Sequence, residues 1–361
     1  MTVLDSRALN RALLARQLLL TRHALPVAGA LERLVGLQAQ EPLEPYVGLW
    51  SRLVGFQPSA LVDLLTSRQA VRTLLMRRTL HLVTARDCLA LRPVHQSMLV
   101  GRMWSTLRRA MPDVDLDELA KAGQPLFEER PRTLSEVGRA VGDRWPAVPP
   151  RVLGDALSTL VPLVQVPPRG VWGQRAAAYN TTVETWLGVP LGPESPAVLD
   201  ELVLRYLAAY GPAASADIRA WSGLSGLRES VQRLRPRLRS FRDARGRELL
   251  DVLDGALPDP ETPAPPRFLP AFDNVVLAFD DRSRIIDTAH RGLSVAGARF
   301  LLVDGRVAGT WAVAEAARSA TLRITPLRPL TAGERDAVVA EGEDLLAMFA
   351  PDGARHVELT P

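Results

Sequence analysis

Three times in the first 257 residues the sequence follows one plan: a helical stretch, a turn, a second helical stretch, then a short β-prone run. The first instance opens with "SRALNRALLARQLLL", which sets Leu9, Leu13 and Leu20 at helical spacing with Ser6 available as an N-terminal cap. "PVAGALERLVGL" begins with Pro26, a good first-turn residue, and its helix should fade by Gly36. "SALVDLLTSRQAV" repeats the plan behind Ser59. The period then changes in "RRTLHLVTARDC", where Thr79 to Thr84 are β-prone and a new helix is expected after Thr84. Helices followed by a short β element are the sequence signature of a winged helix-turn-helix unit.

The second instance joins "RTLSEVGRAVG" and "PRVLGDALSTLVPLVQVPPRGVWG", with "LVPLVQV" as its strand and a Pro/Gly-rich wing. The third is the clearest. "LDELVLRYLAAYGPAASADIRAWSGLSGLRESVQRLRPRL" is a helix broken at "YGP", a short helix, a "SGLS" turn and a second helix, followed by a hairpin with its turn near "ARGR". In such a unit the second helix normally faces DNA. Here it carries Arg228, Arg233, Arg235 and Arg237, which suit phosphate contacts; the alternative is a solvated helix face. The expected units are therefore residues 1–120, 121–195 and 196–257.

From 258 to 361 the character changes. "PDPETPAPPRFLP" is too proline-rich for a helix or a central strand and reads as an extended linker. "DNVVLAFDDRSRIID", "ARFLLVDGRVAGTWAV" and "ATLRITPLRPL" are β-rich, with Asp304-Gly305 a strong hairpin turn. Thr331 with Glu334 three residues on is a capping box for a closing helix. The fold class is α+β, a small barrel or sheet with a covering helix following the helical units.

A chain of 361 residues accommodates two or three modules sharing a core. No apolar run approaches the roughly 18 residues of a membrane span, and the start lacks the plan of a signal peptide, so a cytoplasmic protein is expected. Cys88 is the only cysteine, which excludes an internal disulfide and a cysteine-cluster zinc site and reads as a buried small residue. The net charge of +4 comes almost wholly from arginine, Lys121 being the lone lysine. That bias, with abundant Ala, Gly and Pro, matches a GC-rich genome, so arginine abundance is not itself a nucleic-acid signal.

The motifs of nucleotide hydrolases, zinc proteases and serine hydrolases are absent. His23, His81, His95, His290 and His356 show no metal-ligand spacing. What remains is "LVGLQAQEP", in which Gln38 and Gln40 flank Ala39. On a regular helix, residues two apart point about 200° from each other and cannot share a ligand. In an extended segment they face one way, and Gly36 before and Pro42 after favour a helix ending here. A neutral amide pair abstracts protons poorly but donates and accepts hydrogen bonds, which suits orienting a water or a base edge. Solvated surface residues or a helix cap are the other readings of the pair.

"GLQAQEP", "RTLHLVTARDCLALRP", "AYGPAASADIRAWSGLS", "RFLPAFDNVVLAFDDRSRI" and "VDGRVAGTW", in that order, resemble the bacterial winged-helix DNA glycosylase family typified by AlkZ and YcaQ. The resemblance spans nearly the whole chain. It implies three tandem winged-helix units in a C-shaped arrangement with a β-rich C-terminal part, and a concave face that binds double-stranded DNA. Gln38-Ala39-Gln40 matches the Gln-apolar-Gln signature of the AlkZ branch rather than the Gln-apolar-Asp of the YcaQ branch. That branch implies a monofunctional, cofactor-free and metal-free glycosylase for N7-alkylated purines, interstrand crosslinks included, with self-resistance to a genotoxic product as its role. By the same analogy Gln38 and Gln40 jointly position the attacking water. Glu41 or Glu44 could add negative charge near the sugar cation, the alternative being ordinary surface carboxylates or a cap. A hairpin in "DDRSRIIDTAHRGL" is expected to probe the DNA through Arg282, Arg284, His290 and Arg291, with His290 and Arg291 at the lesion. Asp281 and Arg282 could instead form an internal ion-pair network. Trp50, Trp104, Trp172 and Trp311 read as core. The expected protein is a monomer, associated with the nucleoid and not with a membrane; the competing class is a winged-helix regulator or a drug-sequestering protein without catalysis.

Overall fold

A computed structural model describes residues 2–316 and 318–360. After a two-residue strand β1 (Val3–Leu4), helix α1 (Ser6–Arg16) is capped by Asp5, whose carboxylate accepts from Ala8 N; Ser6 is the first helical residue, not the cap. Helix α2 (Val27–Arg33) gives way to β2 (Leu37–Gln38), then to α3 (Glu44–Trp50) and α4 (Pro58–Thr66), the last entered through Gln57 rather than capped by Ser59. Strands β3 (Ala70–Leu74) and β4 (Leu80–Thr84) follow, and the Thr84 hydroxyl caps the long helix α5 (Ala85–Leu107) by accepting from Asp87 N.

Two later groups share a plan of three helices followed by two paired strands. One is α6 (Leu116–Glu129), α7 (Leu134–Val141) and α8 (Pro150–Leu160) with β5 (Leu163–Gln165) and β6 (Asn180–Thr182). Its helices α7 and α8 cross so closely that a Cβ on Gly138 would stand 2.0 Å from the Pro150 carbonyl oxygen. After the short α9 (Val183–Leu187) comes the other: α10 (Pro196–Tyr210), α11 (Ser215–Ser222) and α12 (Leu227–Leu234) with the hairpin β7 (Leu238–Asp243) and β8 (Glu248–Val252). The chain then runs mostly without regular structure to β9 (Arg267–Phe268), as its prolines require.

"DNVVLAFDDRSRIID" corrects the reading as β: Asn274–Leu277 form a short helix α13, and turns follow it. Residues 288–295 are also helical, the last turn being α14 (Arg291–Val295), so the expected hairpin does not lie here. The long hairpin of this region is β10 (Arg299–Val303) to β11 (Arg306–Ala316), turned at Asp304-Gly305, continuing into β12 (Ser319–Pro326). Both turn residues have positive φ, 47° and 76°. The Thr331–Glu334 capping box starts α15 (Ala332–Phe349), and β13 (Ala354–Leu359) closes the chain.

Three sheets result: β2-β4-β3-β5-β6, β1-β7-β8 and β13-β12-β11-β10-β9. The first joins strands from either side of residue 120 through the β3–β5 pairing. One face of it packs on α1, α10, α11, α12 and the 275–286 segment, where Tyr206, Tyr210 and Trp221 cluster. A second core lies between α2, α3, α4, the C-terminal sheet and α15, and a third among α5 to α8. Among the described residues no helix is long and apolar enough to cross a membrane.

Candidate active site

The glutamine pair owes its geometry to the end of α2. Gly36 N closes back on Leu31 O at 2.8 Å, with Val35 at φ 56° and Gly36 at φ 83°. A Cβ on Gly36 would meet Val83 Cγ1 at 2.6 Å, so both the turn and the approach to β4 need glycine. Beyond it the chain is extended along β4: Leu37 pairs with Leu82, Gln38 with His81, and Ala39 N donates to Leu80 O at 2.7 Å. Residues two apart on an extended chain project to the same side. Leu37 and Ala39 turn into the second core, Gln38 between them faces the opposite side, and the chain bends at Gln40. Ala39 O accepts from the buried Arg72 Nη2 at 2.8 Å, Leu34 O from Tyr210 Oη at 2.9 Å.

Gln38 is buried, 8 % exposed, and Gln40 is exposed. The Gln38 amide oxygen meets the turn between β3 and β4, and that of Gln40 approaches the first residue of β4. Gln38 Oε1 accepts from Arg77 Nη2 at 2.7 Å; Gln40 Oε1 stands 3.4 Å from Leu80 N, too long to be a firm bond. Arg77 and Arg78 both adopt left-handed backbone conformations (φ 57° and 60°), a strained arrangement for non-glycine residues. The turn aims the Arg77 guanidinium inward, where it also donates to Trp221 O at 2.9 Å and Asn274 Oδ1 at 3.2 Å. Burial, with Arg282 and Arg102 nearby, lowers its pKa to about 10, so it remains a cation. Among the described residues no carboxylate pairs with it.

Arg77 and Asn274 are the site residues that sequence reasoning missed. The only local signal was an Arg-Arg pair between two β-prone runs, with no Gly or Asn to mark the left-handed turn. Asn274 lies inside "DNVVLAFDDRSRIID", a segment read as β-rich. It begins α13, whose Asp273 cap is in turn held by Arg52 at 2.9 Å.

The four expected DNA contacts fall into two groups. Arg291 is exposed at the start of α14 with His290 half-buried before it, and Arg291 donates to Asp280 O at 3.2 Å. Arg282 is half-buried, donating to Ser294 Oγ at 2.8 Å. Arg284 is corrected: it is buried, donates to Pro212 O at 2.9 Å and lies over the Phe279 ring, so it offers no surface contact. Asp281 does enter an ion-pair network, with Arg245 and Arg247 and without Arg282. Glu44 is buried, accepting from Ala271 N at 2.6 Å and paired with Arg299, whereas Glu41 is exposed. Of the arginines on and after α12, Arg233 and Arg235 are tied to Asp200 and Glu248. Trp50 and Trp311 are core residues, and Trp104 and Trp172 pack against core clusters.

A family model described as "DNA glycosylase AlkZ-like" matches residues 31–348. Among solved structures, the chain is similar to the Streptomyces sahachiroi DNA glycosylase AlkZ, with a TM-score of 0.81 at 21 % identity over 99 % of this chain and 100 % of that one. No curated protein matches the sequence.

Proposed function

The chain belongs to the AlkZ-like DNA glycosylase family, and from that premise we propose that it hydrolyses the N-glycosidic bond of N7-alkylated purines in double-stranded DNA, bulky and interstrand-crosslinked ones included. The observation that carries the reading is the exit from α2 at Gly36 into β2, which brings the amide oxygens of Gln38 and Gln40 to neighbouring points, Arg77 in the turn before β4 and Leu80 at its start. Alkylation at N7 leaves the purine positively charged and already a good leaving group. The enzyme then needs little general-acid help. It has to stabilise an oxocarbenium-like sugar and aim a water at C1′. Two neutral amides sharing one water do this without a strongly shifted pKa. A base tethered to the opposite strand resists flipping, so such a site is open and not a closed base pocket.

The three helix-and-strand groups are read as tandem winged helix-turn-helix units, with boundaries near residues 120, 195 and 257. His290, Arg291 and Arg282 are the contacts proposed on the 280–294 segment. A monomer working at the nucleoid, monofunctional and serving self-resistance to a DNA-alkylating product, completes the reading.

The test is incubation with N7-alkylguanine DNA and with an N7-linked interstrand crosslink, followed by detection of abasic sites. Gln38→Ala and Gln40→Ala should each cut excision sharply and leave DNA affinity nearly intact. No release from either substrate by folded protein would sink the proposal. A tight footprint on one palindrome without excision would favour a regulator.

A further inference from the structure

Gln38 and Gln40 are chemically identical, yet their surroundings are not. A guanidinium only donates, so the atom of Gln38 that faces Arg77 Nη2 at 2.7 Å has to be the oxygen. Turning the amide over would set its NH2 against the Arg77 cation. Asn274 Oδ1 and Trp221 O hold that cation in place from two other directions. Among the described residues nothing anionic competes for it. The Gln38 amide is thereby fixed with Nε2 on the side away from Arg77, and among the described residues no protein acceptor takes up that NH2. Gln40 differs: it is exposed, and its 3.4 Å approach to Leu80 N leaves its amide free to turn.

We propose that the pair is polarised, with Gln38 the hydrogen-bond donor to the attacking water, Gln40 its acceptor, and Arg77 the positioning residue that enforces this order. The proposal rests on the glycosylase reading above and deepens it. A water has two lone pairs and two protons. Gln38 Nε2–H takes one lone pair, and Gln40 Oε1 accepts one O–H. The second lone pair is left to form the new bond to C1′. As that C–O bond forms, the C1′–N9 bond breaks and its electron pair neutralises the alkylated ring. The attacking water's surplus proton passes to solvent on the exposed Gln40 side. The products are a neutral free base, an abasic sugar and one proton, with no other reactant required. Arg77 touches none of the reacting atoms. Its burial-depressed pKa stays far enough above neutrality to keep the charge that pins the amide.

The decisive variant is Gln38→Glu. It is isosteric, keeps and strengthens the bond to Arg77, and exchanges the donor NH2 for an acceptor. Single-turnover excision should fall by about 100-fold or more, as for loss of one preorganised donor, with DNA Kd and thermal midpoint unchanged. Gln40→Glu keeps the acceptor and should lose at least about ten-fold less than Gln38→Glu. Arg77→Met should lower the single-turnover rate without raising Kd, and Arg77→Lys should restore part of it. An independent readout needs no catalysis: the 15N–1H side-chain NH2 signals of Gln38, assigned by their disappearance in Gln38→Glu, should move in Arg77→Met and return toward wild type in Arg77→Lys. Wild-type-like excision by Gln38→Glu, or greater damage from Gln40→Glu, would overturn the polarity while the glycosylase reading stood. Unchanged Gln38 NH2 signals in Arg77→Met would overturn the role of Arg77. If wild-type protein releases no base at all, the glycosylase reading fails, and the NMR arm still decides whether Arg77 orients Gln38.

Discussion

Acid should unfold this protein through two histidines that do no chemistry. His81 and His95 are fully buried, and each uses one ring nitrogen on a backbone carbonyl: His81 Nδ1 lies 3.0 Å from Thr79 O, His95 Nδ1 2.7 Å from Leu91 O. A carbonyl can only accept, so Nδ1 carries the proton and Nε2 is a bare lone pair, and among the described residues no group reaches either Nε2. Burial, then the charge of Arg77 and more weakly His95, pushes His81 down to about 3. Burial, aided by Arg92, pushes His95 to about 4 against the opposing effect of its Leu91 bond. The unfolded chain protonates both near 6.5. Below that pH the unfolded state binds protons that the folded state refuses, so the stability both residues leave intact above pH 6.5 is lost as pH falls.

At pH 5 the loss depends on the unfolded value alone, because the folded rings are still neutral there. Each histidine then costs about 2 kcal/mol relative to pH 8, and the pair about 4 kcal/mol, at roughly 1.4 kcal/mol per pH unit. His23, lowered by burial, acts weakly in the same sense. Glu341, raised by burial between Arg22 and Arg267, acts in the opposite one, and carboxylates such as Glu334, held near 2 by Arg328, contribute only in stronger acid. Urea unfolding at pH 8 and pH 5 measures the difference. His81→Gln and His95→Gln should each remove about 2 kcal/mol of the pH dependence, whatever they do to stability at pH 8. An unfolding free energy that is flat between the two pH values, or a slope that neither variant reduces, would refute the reasoning. Because His81 is the cross-strand partner of Gln38, acid loosening of this sheet should take excision with it.

Gly36→Ala forces a Cβ into Val83 Cγ1 at a positive φ, so it should cost about 1–3 kcal/mol in urea unfolding and slow excision by tilting the strand that carries Gln38. Asp251 is fully buried and accepts from Arg16 at 2.6 and 2.9 Å and from Arg239 at 2.9 Å. Asp251→Leu strands the Arg16 cation in the core and should lower stability by about 3–5 kcal/mol in the same assay. Burial pushes the Cys88 thiol up to about 12. It should resist a thiol reagent at pH 8 in native protein and react fully in denaturant; labelling of the native state would contradict its buried position.

Local rules were enough where a few adjacent residues decide the outcome. The Thr331–Glu334 box, the Asp304-Gly305 turn, the helix start behind Thr84 and the helix end before Gly36 all depend on contacts within a handful of positions. They failed where the deciding contact is distant. "NVVLAF" is an apolar run that fits strand or helix equally well, and Asp273, anchored by Arg52 from 221 residues away, makes it α13. Arg284 looked like a surface cation because nothing nearby in sequence could satisfy it; the acceptor is Pro212 O, 72 residues away.

The glutamine pair shows both halves of this. That the pair leaves the helix was legible from Gly36 and Pro42, and the strand that follows carries Gln38 out along β4. Which way each amide faces was not legible, because that depends on Arg77, 39 positions on, and on Asn274, 197 positions beyond Arg77. A pair that is symmetric in sequence becomes asymmetric only when a cation from the turn between β3 and β4 pins one member and leaves the other loose. The amides therefore supply the hydrogen bonds, and the turn at Arg77 decides which of them gives and which receives.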